Sequence, residues 1–280
     1  MFHATELTVS AVKEGYRNII VVAATARTRG GERTFIQQEV CPDEVLLAVI
    51  AVGTGNDWVR TFGISNRYQD AVKAIGEGYS FLQDVGVVSY ESRTTARAAI
   101  WPTWRARVST RGWCASFAPQ EKGPQKPLAL HVVSGQELLP LQIDGREGVV
   151  DDRLVYNNLL FSIAIGICKY NVGGMQQLPD AVADDGMLDV SLVRPVHFWH
   201  LLFRFHYLFN GGIYRIRHIL QERGSCIRIE SSPEISVEVD GELLGETPLE
   251  FSILHKAVRI VVGREFYDRQ ERGECPCEGK

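Results

Sequence analysis

The segment that most constrains the fold is residues 45–62, which pass from a strand-like run through a glycine turn into a helix-like pattern. Residues 45–50 are apolar over the length of a strand. The turn Gly53-Thr54-Gly55-Asn56-Asp57 follows. The residues spaced as on one side of a short helix are Trp58, Val59 and Phe62. A strand, a glycine turn and a helix start in this order build a loop whose backbone amides can point together at an anion.

The residue types in this turn suit phosphate binding. Gly53 and Gly55 let the backbone approach a ligand closely, Thr54 adds a hydroxyl and Asp57 adds a carboxylate. The alternative is an ordinary turn in which Asn56 or Asp57 caps the helix.

The composition is that of a soluble globular protein, with 45% hydrophobic and 23% charged residues in a chain of 280. The formal charge of −4 gives no general attraction to nucleic acid. No apolar run is long enough to span a membrane and no signal-peptide pattern is present, so we predict a cytoplasmic protein. The six cysteines are scattered, which predicts reduced thiols.

The order of the elements predicts two domains of different class. Residues 18–22 and 45–52 predict strands and residues 68–75 a helix, which together indicate a layered α/β domain over residues 1–88. Such a sheet should have a strand before residue 11, so we expect the chain to be truncated at its start. Short apolar runs then predict a mainly antiparallel β domain over residues 89–266, whose last segment returns to the interface, and a polar tail over 267–280. These runs are residues 159–167, 187–193, 227–229, 235–239 and 258–262.

A second helix is predicted over residues 196–209, between Pro195 and the glycines Gly211 and Gly212. It is apolar nearly all round. Packing over a sheet is one interpretation and contact with lipid is the other.

Two further segments carry clustered carboxylates. Asp184, Asp185 and Asp189 lie within six residues at a turn, and such oxygen ligands can bind a hard cation. The alternative is an Asp-Gly hairpin turn with no ligand. Residues 236–242 alternate polar and apolar and then turn at Asp240-Gly241, which by itself indicates a half-buried strand entering a hairpin with Glu242 in solvent.

Taken together, the strings G-T-G-N-D, G-G-M…P-D-A…D-D-G-x-L-D-V and D-G-E, in this order, resemble the signatures of the diacylglycerol kinase catalytic family, which is related to the sphingosine kinases. The resemblance covers most of the chain. It implies an ATP- and magnesium-dependent kinase that phosphorylates diacylglycerol or a similar lipid at the membrane surface. A homodimer is one assembly that the resemblance allows.

The resemblance also implies roles for individual residues. The turn Gly53-Thr54-Gly55-Asn56-Asp57 would contact the nucleotide. Asp185 would hold magnesium, together with the backbone carbonyls of Val182 and Met187. In the Asp240-Gly241-Glu242 motif, Glu242 would take the proton of the lipid hydroxyl, because an alcohol is a poor nucleophile until a placed carboxylate accepts its proton.

The sequence departs from the family at residues 23–27, where Ala-Ala-Thr-Ala-Arg stands in place of G-G-D-G-T. In a displaced reading frame this segment can encode the missing motif. Residues 93–142 behave in the same way, so we hypothesise that residues 23–34 and 93–142 are translated out of frame. The codons of the gene test this idea directly.

This departure predicts marginal folding and little ATP binding by the literal chain, since buried polar groups without partners cost about 1–3 kcal/mol each. The alternatives to an active lipid kinase are a catalytically dead relative that binds lipid or a partner, and a gene fragment without function.

Overall fold

Strands make up most of the computed structural model, which describes residues 2–23, 44–52, 56–92, 95–101, 105–109, 146–151, 153–156, 160–171, 173–196, 199, 203–231, 236–239 and 242–273. The strands are β1 (Asn18–Ala23), β2 (Leu46–Ala51), β3 (Ser80–Ser92), β4 (Thr95–Trp101), β5 (Arg105–Ser109), β6 (Arg146–Val150), β7 (Arg153–Tyr156), β8 (Ser162–Gly166), β9 (Tyr170–Asn171), β10 (Met175–Gln176), β11 (Leu188–Val193), β12 (Ile219–Gly224), β13 (Cys226–Ser231), β14 (Ser236–Val239) and β15 (Glu242–Val261). The helices are α1 (Phe2–Lys13), α2 (Asp57–Thr61), α3 (Tyr68–Glu77) and α4 (Arg264–Glu271), with 3₁₀ turns at Phe205–Leu208 and Ile213–Arg215.

The N-terminal part is α/β, as predicted. β1 and β2 pair in parallel, from Asn18 opposite Leu46 to Ala23 opposite Ala51. The apolar run that predicted β2 is buried, as expected for a parallel strand covered on both faces. Helices α2 and α3 follow β2 in the chain, as the periodicity predicted.

An aromatic cluster fixes α2 against the sheet and against α4. The ring of Phe62 lies 5.1 Å from that of Trp58, 5.3 Å from that of Phe266 and 5.8 Å from that of Phe81. The buried indole of Trp58 also donates a hydrogen bond of 3.0 Å to Gln83 on β3. Both ends of α2 are therefore held, and this sets the position of the turn that precedes the helix.

The C-terminal part is a mainly antiparallel β domain, which confirms the predicted fold class. Its strands follow the order β12-β11-β8-β5-β14-β15-β13-β6-β7. β11 and β8 lie inside this order and are almost wholly buried; β8 is apolar from Ile163 to Ile165, whereas β11 carries the buried polar side chains of Asp189 and Ser191 on one face.

β15 connects the two parts. It is 20 residues long, well beyond the usual 3–10, and it is bent by irregularities between Glu246 and Leu249 and between Leu254 and Val258. Its first half pairs with β14, and its last residues pair in parallel with β2. β3 likewise runs without a break past residue 88, so the domain boundary there stays a prediction.

The predicted helix 196–209 is wrong over its last third. Residues 205–208 form a 3₁₀ turn, because Arg204 departs from helical geometry at φ −109° and ψ 9°. Residues 197, 198 and 200–202 lie outside the described residues. No helix in the described part of the chain is both long and apolar enough to cross a membrane.

The segments suspected of frame displacement are described only in part. Residues 24–43 and 110–145 lie outside the described residues. β4 and β5 both come from the second segment; β4 pairs with β3, and β5 pairs with β8 and β14. The frame hypothesis stays a hypothesis.

Candidate functional site

The glycine turn before α2 is described only at its end, because Gly53, Thr54 and Gly55 lie outside the described residues. Asn56 is buried and adopts a left-handed conformation, with φ 41° and ψ 32°. It takes the N-cap position, but its side chain makes no capping bond, so helix capping does not explain why it is an asparagine. Asp57 opens α2 and is buried.

Asp57 joins the first motif to the second. Its Oδ2 accepts a hydrogen bond of 2.9 Å from the backbone amide of Gly173, which lies 116 residues further along the chain. Gly173 and Gly174 have φ values of 78° and 99°, which favour glycine at both positions. A Cβ on Gly174 would also lie 3.1 Å from Nη1 of Arg60 on α2. The start of α2 therefore packs directly against the Gly173-Gly174 turn.

The Asp-Asp-Gly turn is organised around an arginine. Asp185 accepts a hydrogen bond of 3.0 Å from the amide of Met187 through Oδ1, and its Oδ2 pairs with Arg223 of β12. Nε of the same guanidinium lies 3.0 Å from Oδ1 of the fully buried Asp189. Burial raises the pKa of Asp189 to about 7, and the charge of Arg223 opposes that rise.

This arrangement does not fit the magnesium ion that the resemblance implies. The carboxylate of Asp185 is already neutralised by Arg223, and a cation would compete with the guanidinium. Among the described residues, no group of three His, Cys, Asp or Glu side chains could hold a metal. The predicted ligands Asp185, Val182 and Met187 therefore stay a prediction that this geometry does not support.

The sequence analysis missed Asp84 on β3, which fastens the Asp-Asp-Gly turn to the sheet. Its carboxylate is fully buried and accepts bonds of 2.7 Å from the amide of Gly186, 2.7 Å from the amide of Lys256 and 2.9 Å from Nδ1 of His255. Burial raises the pKa of Asp84, and the two amide bonds oppose this rise. Burial also raises the pKa of the neighbouring Asp184. The one signal in the sequence was an aspartate inside an apolar strand.

The third motif is described through its backbone. Asp240 and Gly241 lie outside the described residues, and Glu242 is the first residue of β15. One continuous row of paired residues crosses the sheet here: Val190 on β11, Ile165 on β8, Ala106 on β5, Val239 on β14 and Glu242 on β15. With strands about 4.8 Å apart, the row spans about 19 Å.

This register brings two motif-bearing segments to the same end of the strands. β11 starts directly after the Asp-Asp-Gly turn, and the chain passes from β14 to β15 through Asp240 and Gly241, so both segments lie at the same end of the sheet, with β8 and β5 between them. β8 also ends there, and the chain runs from it to Gly173, whose amide contacts Asp57. The three motifs are therefore on the same side of the fold.

Comparison with known proteins agrees with the fold. Residues 131–262 match the family model of the YegS C-terminal NAD kinase beta sandwich-like domain. A diacylglycerol kinase of Mycobacterium tuberculosis is 23% identical over 269 residues, which is 92% of this chain and 81% of the relative. The comparisons support a diacylglycerol kinase-like family.

Solved structures with diacylglycerol kinase-like folds show the same architecture. A candidate diacylglycerol kinase from Bacillus anthracis str. Sterne aligns with a TM-score of 0.70 at 19% identity, covering 94% of this chain and 84% of that one. Yeast NADH kinase complexed with NADH aligns with a TM-score of 0.50 at 8% identity, covering 92% of this chain and 65% of that one. These matches establish the fold, and the roles of the individual site residues stay predictions.

Proposed function

We propose that the chain is an ATP-dependent lipid kinase that transfers the γ-phosphate to the hydroxyl of diacylglycerol or a related lipid. Two observations support this proposal: the position of the Asp-Asp-Gly turn and of the Asp240-Gly241 connection at the same end of the strands, and the relatives that carry the name diacylglycerol kinase. The first of these carries the proposal, because it puts two motifs that are far apart in the sequence on the same side of one sheet. The proposed location is the cytoplasm, at the membrane surface.

The proposed nucleotide contacts are the turn Gly53-Thr54-Gly55-Asn56-Asp57 at the start of α2. Amides at a strand-to-helix corner favour the negative charge of phosphate oxygens. Asp57 acts here as a brace, because its bond to Gly173 fixes the turn against the second motif. Phosphoryl transfer depends mainly on such positioning and on stabilisation of the negative charge.

Glu242 is the proposed general base. The lipid hydroxyl gives its proton to the carboxylate of Glu242 as the oxygen attacks the γ-phosphorus. The new bond joins that oxygen to phosphorus, and the bond between the γ-phosphorus and the bridging oxygen breaks, so ADP leaves with that electron pair.

Transfer of radiolabelled phosphate from ATP to a lipid panel tests the proposal. The panel contains diacylglycerol, monoacylglycerol and a sphingoid base. Glu242→Ala should lower turnover by about 10²–10⁴-fold, the usual contribution of a positioned base. The matched control is Glu250→Ala, since Glu250 lies on the same strand and forms an exposed ion pair of 3.1 Å with Arg228.

The control variant should keep wild-type turnover. A catalytically dead relative would transfer no phosphate and would show no difference between the two variants. Equal loss in both variants would indicate damage to β15 rather than removal of a base. Sedimentation velocity on the same samples tests the predicted homodimer.

A further inference from the structure

Four large aromatic side chains are exposed within eleven residues of the segment that follows β11, and we call them the aromatic patch. Trp199 is 64% exposed, Phe203 76%, Phe205 37% and Phe209 46%. The rings of Phe205 and Phe209 contact each other edge to face, with their centroids 5.4 Å apart. Large exposed apolar patches on a folded protein mark a surface that binds a partner or a membrane.

The apolar groups that anchor this segment are different residues. Tyr207 and Leu208 turn inward and pack on a small buried cluster of Ile213, Ile216 and Ile219. The inward side chains therefore attach the 3₁₀ turn to the protein, and the aromatic patch is left on the outside of the described structure.

The chain segment that carries the aromatic patch has charges of one sign. Residues 190–221 contain four arginines and no aspartate or glutamate. The whole chain carries 34 acidic groups in 280 residues, so a stretch of this length would ordinarily contain about four. Arg204, Arg215 and Arg217 are all exposed. Asp180, an acidic group from outside the segment, accepts a hydrogen bond of 3.0 Å from Gln221 at its end. The segment is thus cationic in a protein whose net charge is −4.

We infer that the aromatic patch and Arg204 dock on the surface of an anionic lipid bilayer. Aromatic rings are suited to the boundary between water and acyl chains, and arginines beside them attract anionic headgroups. A twofold contact between two copies would instead bring these arginines against one another, because such an interface joins the same surface of each copy. The inference rests on the proposed function in one respect, since a bilayer is where a diacylglycerol substrate resides.

Vesicle binding by the full-length chain tests this docking surface. Binding is measured by co-sedimentation with phosphatidylcholine vesicles that do or do not contain phosphatidylglycerol, at low and at high salt. Phe203→Gln should weaken binding about tenfold through lost apolar insertion, and Arg204→Gln about fivefold through lost attraction to the headgroups. The matched controls are Tyr68→Gln and Arg67→Gln, an exposed adjacent pair at the start of α3.

The docking surface is supported if wild type binds only the anionic vesicles and is released by high salt. The affinity of the double variant at 203 and 204 for these vesicles should fall about fiftyfold, and the affinity of the double control variant should change less than about twofold. Equal binding of the two double variants would overturn it. A wild-type dimer in sedimentation velocity that the Phe203 variant converts to monomer would also overturn it, because the patch would then join two copies.

Turnover on dispersed dioctanoylglycerol separates this inference from the proposed kinase activity. If the docking surface is correct, the double variant at 203 and 204 keeps wild-type turnover on this soluble substrate while it loses turnover on vesicles. Vesicle binding as expected without any phosphate transfer would remove the proposed function and leave the docking surface standing. Turnover on vesicles that the double variant does not affect would remove the docking surface alone.

Discussion

Replacing Asp84 by alanine should destabilise the fold more than any other single change at the candidate site. Its carboxylate is the acceptor for the backbone amides of Gly186 and Lys256, both at 2.7 Å, and for Nδ1 of His255 at 2.9 Å. The alanine variant leaves two amides without these bonds in a buried site. Each such loss costs about 1–3 kcal/mol, which gives about 2–6 kcal/mol together. The histidine bond adds little because that ring is half exposed.

Asp84→Asn should destabilise the fold less than Asp84→Ala does. Asparagine keeps the shape of the side chain and replaces one acceptor oxygen by an NH₂ donor. If the amide oxygen stays at Oδ1, it still accepts from Lys256 and His255, while the new NH₂ group faces the amide of Gly186. The amide of Gly186 and the new NH₂ group are then both buried donors without an acceptor, at about 1–3 kcal/mol each. The alanine variant likewise leaves two amides without their bonds and creates a cavity in addition. The order of stability expected is therefore wild type, then asparagine, then alanine.

The assay for this series is urea unfolding followed by far-ultraviolet circular dichroism, with thermal unfolding as a second measure. A chain of this size loses about 2–4 °C in Tm for each kcal/mol, so alanine should lower Tm by about 4–24 °C. Asp70→Ala is the matched control, since that exposed carboxylate pairs only with exposed groups, including Ser65 at 3.1 Å. It should cost less than about 1 kcal/mol.

Hydrogen exchange gives the local test of the same series. The amides of Gly186 and Lys256 should exchange faster in the alanine variant than in wild type, because both lose their acceptor. Two results together would show that Asp84 does not fasten the Asp-Asp-Gly turn. Asp84→Ala would unfold with the same free energy as Asp70→Ala, and the amides of Gly186 and Lys256 would exchange at wild-type rates.

Three further outcomes follow from the structure. In the unfolded chain, Asp189 loses its proton above about pH 3.8, whereas the native state keeps that proton up to about pH 7. The free energy of unfolding should therefore fall as the pH rises from about 4 to about 7, and Asp189→Asn should flatten that slope. A variant curve parallel to that of wild type would refute this prediction. Gly263→Ala should lower the free energy of unfolding by about 3 kcal/mol or more, because its Cβ would lie 2.0 Å from the carbonyl oxygen of Gly63. In the control Gly76→Ala, the Cβ meets nothing within 4 Å, so urea unfolding should show a neutral or stabilising effect. Millimolar magnesium without nucleotide should leave Tm within about 1 °C, because the carboxylate of Asp185 is already paired with a guanidinium, and a rise of several degrees would show that the ion displaces it.

The local elements at the N-terminus could be predicted from sequence because their signals are short-range. The apolar run before Gly53 forms β2, and the spacing of Trp58 and Phe62 gives the one-sided helix α2. The series of short apolar runs in the later part of the chain likewise predicted the change of fold class. In these cases the residues that determine the element lie within it.

The contacts that assemble the site could not be predicted in this way. Asp84 accepts hydrogen bonds from residues 102 and 172 positions away, and no local pattern distinguishes it from a solvated aspartate on a half-buried strand. The same holds for Arg223, which joins Asp185 to Asp189 only because β12 pairs with β11. The predicted helix over residues 196–209 failed for a related reason, since Tyr207 and Leu208 turn toward a separate isoleucine cluster that the helical pattern does not contain.

β15 makes the stability of the candidate site depend on the fold as a whole. The strand begins at Glu242, meets the carboxylate of Asp84 at Lys256, and pairs with β2 at Ile260. One backbone thus carries the proposed base at one end and joins the nucleotide-side sheet at the other. Loss of the hydrogen bond between Asp84 and the amide of Lys256 would loosen β15 at that residue. Glu242 and the Asp-Asp-Gly turn should then lose their relative position before β15 separates from β14 or from β2. Under the proposed function, Asp84→Ala should therefore lower kcat in conditions where the protein is still folded, although Asp84 is not assigned any contact with substrate.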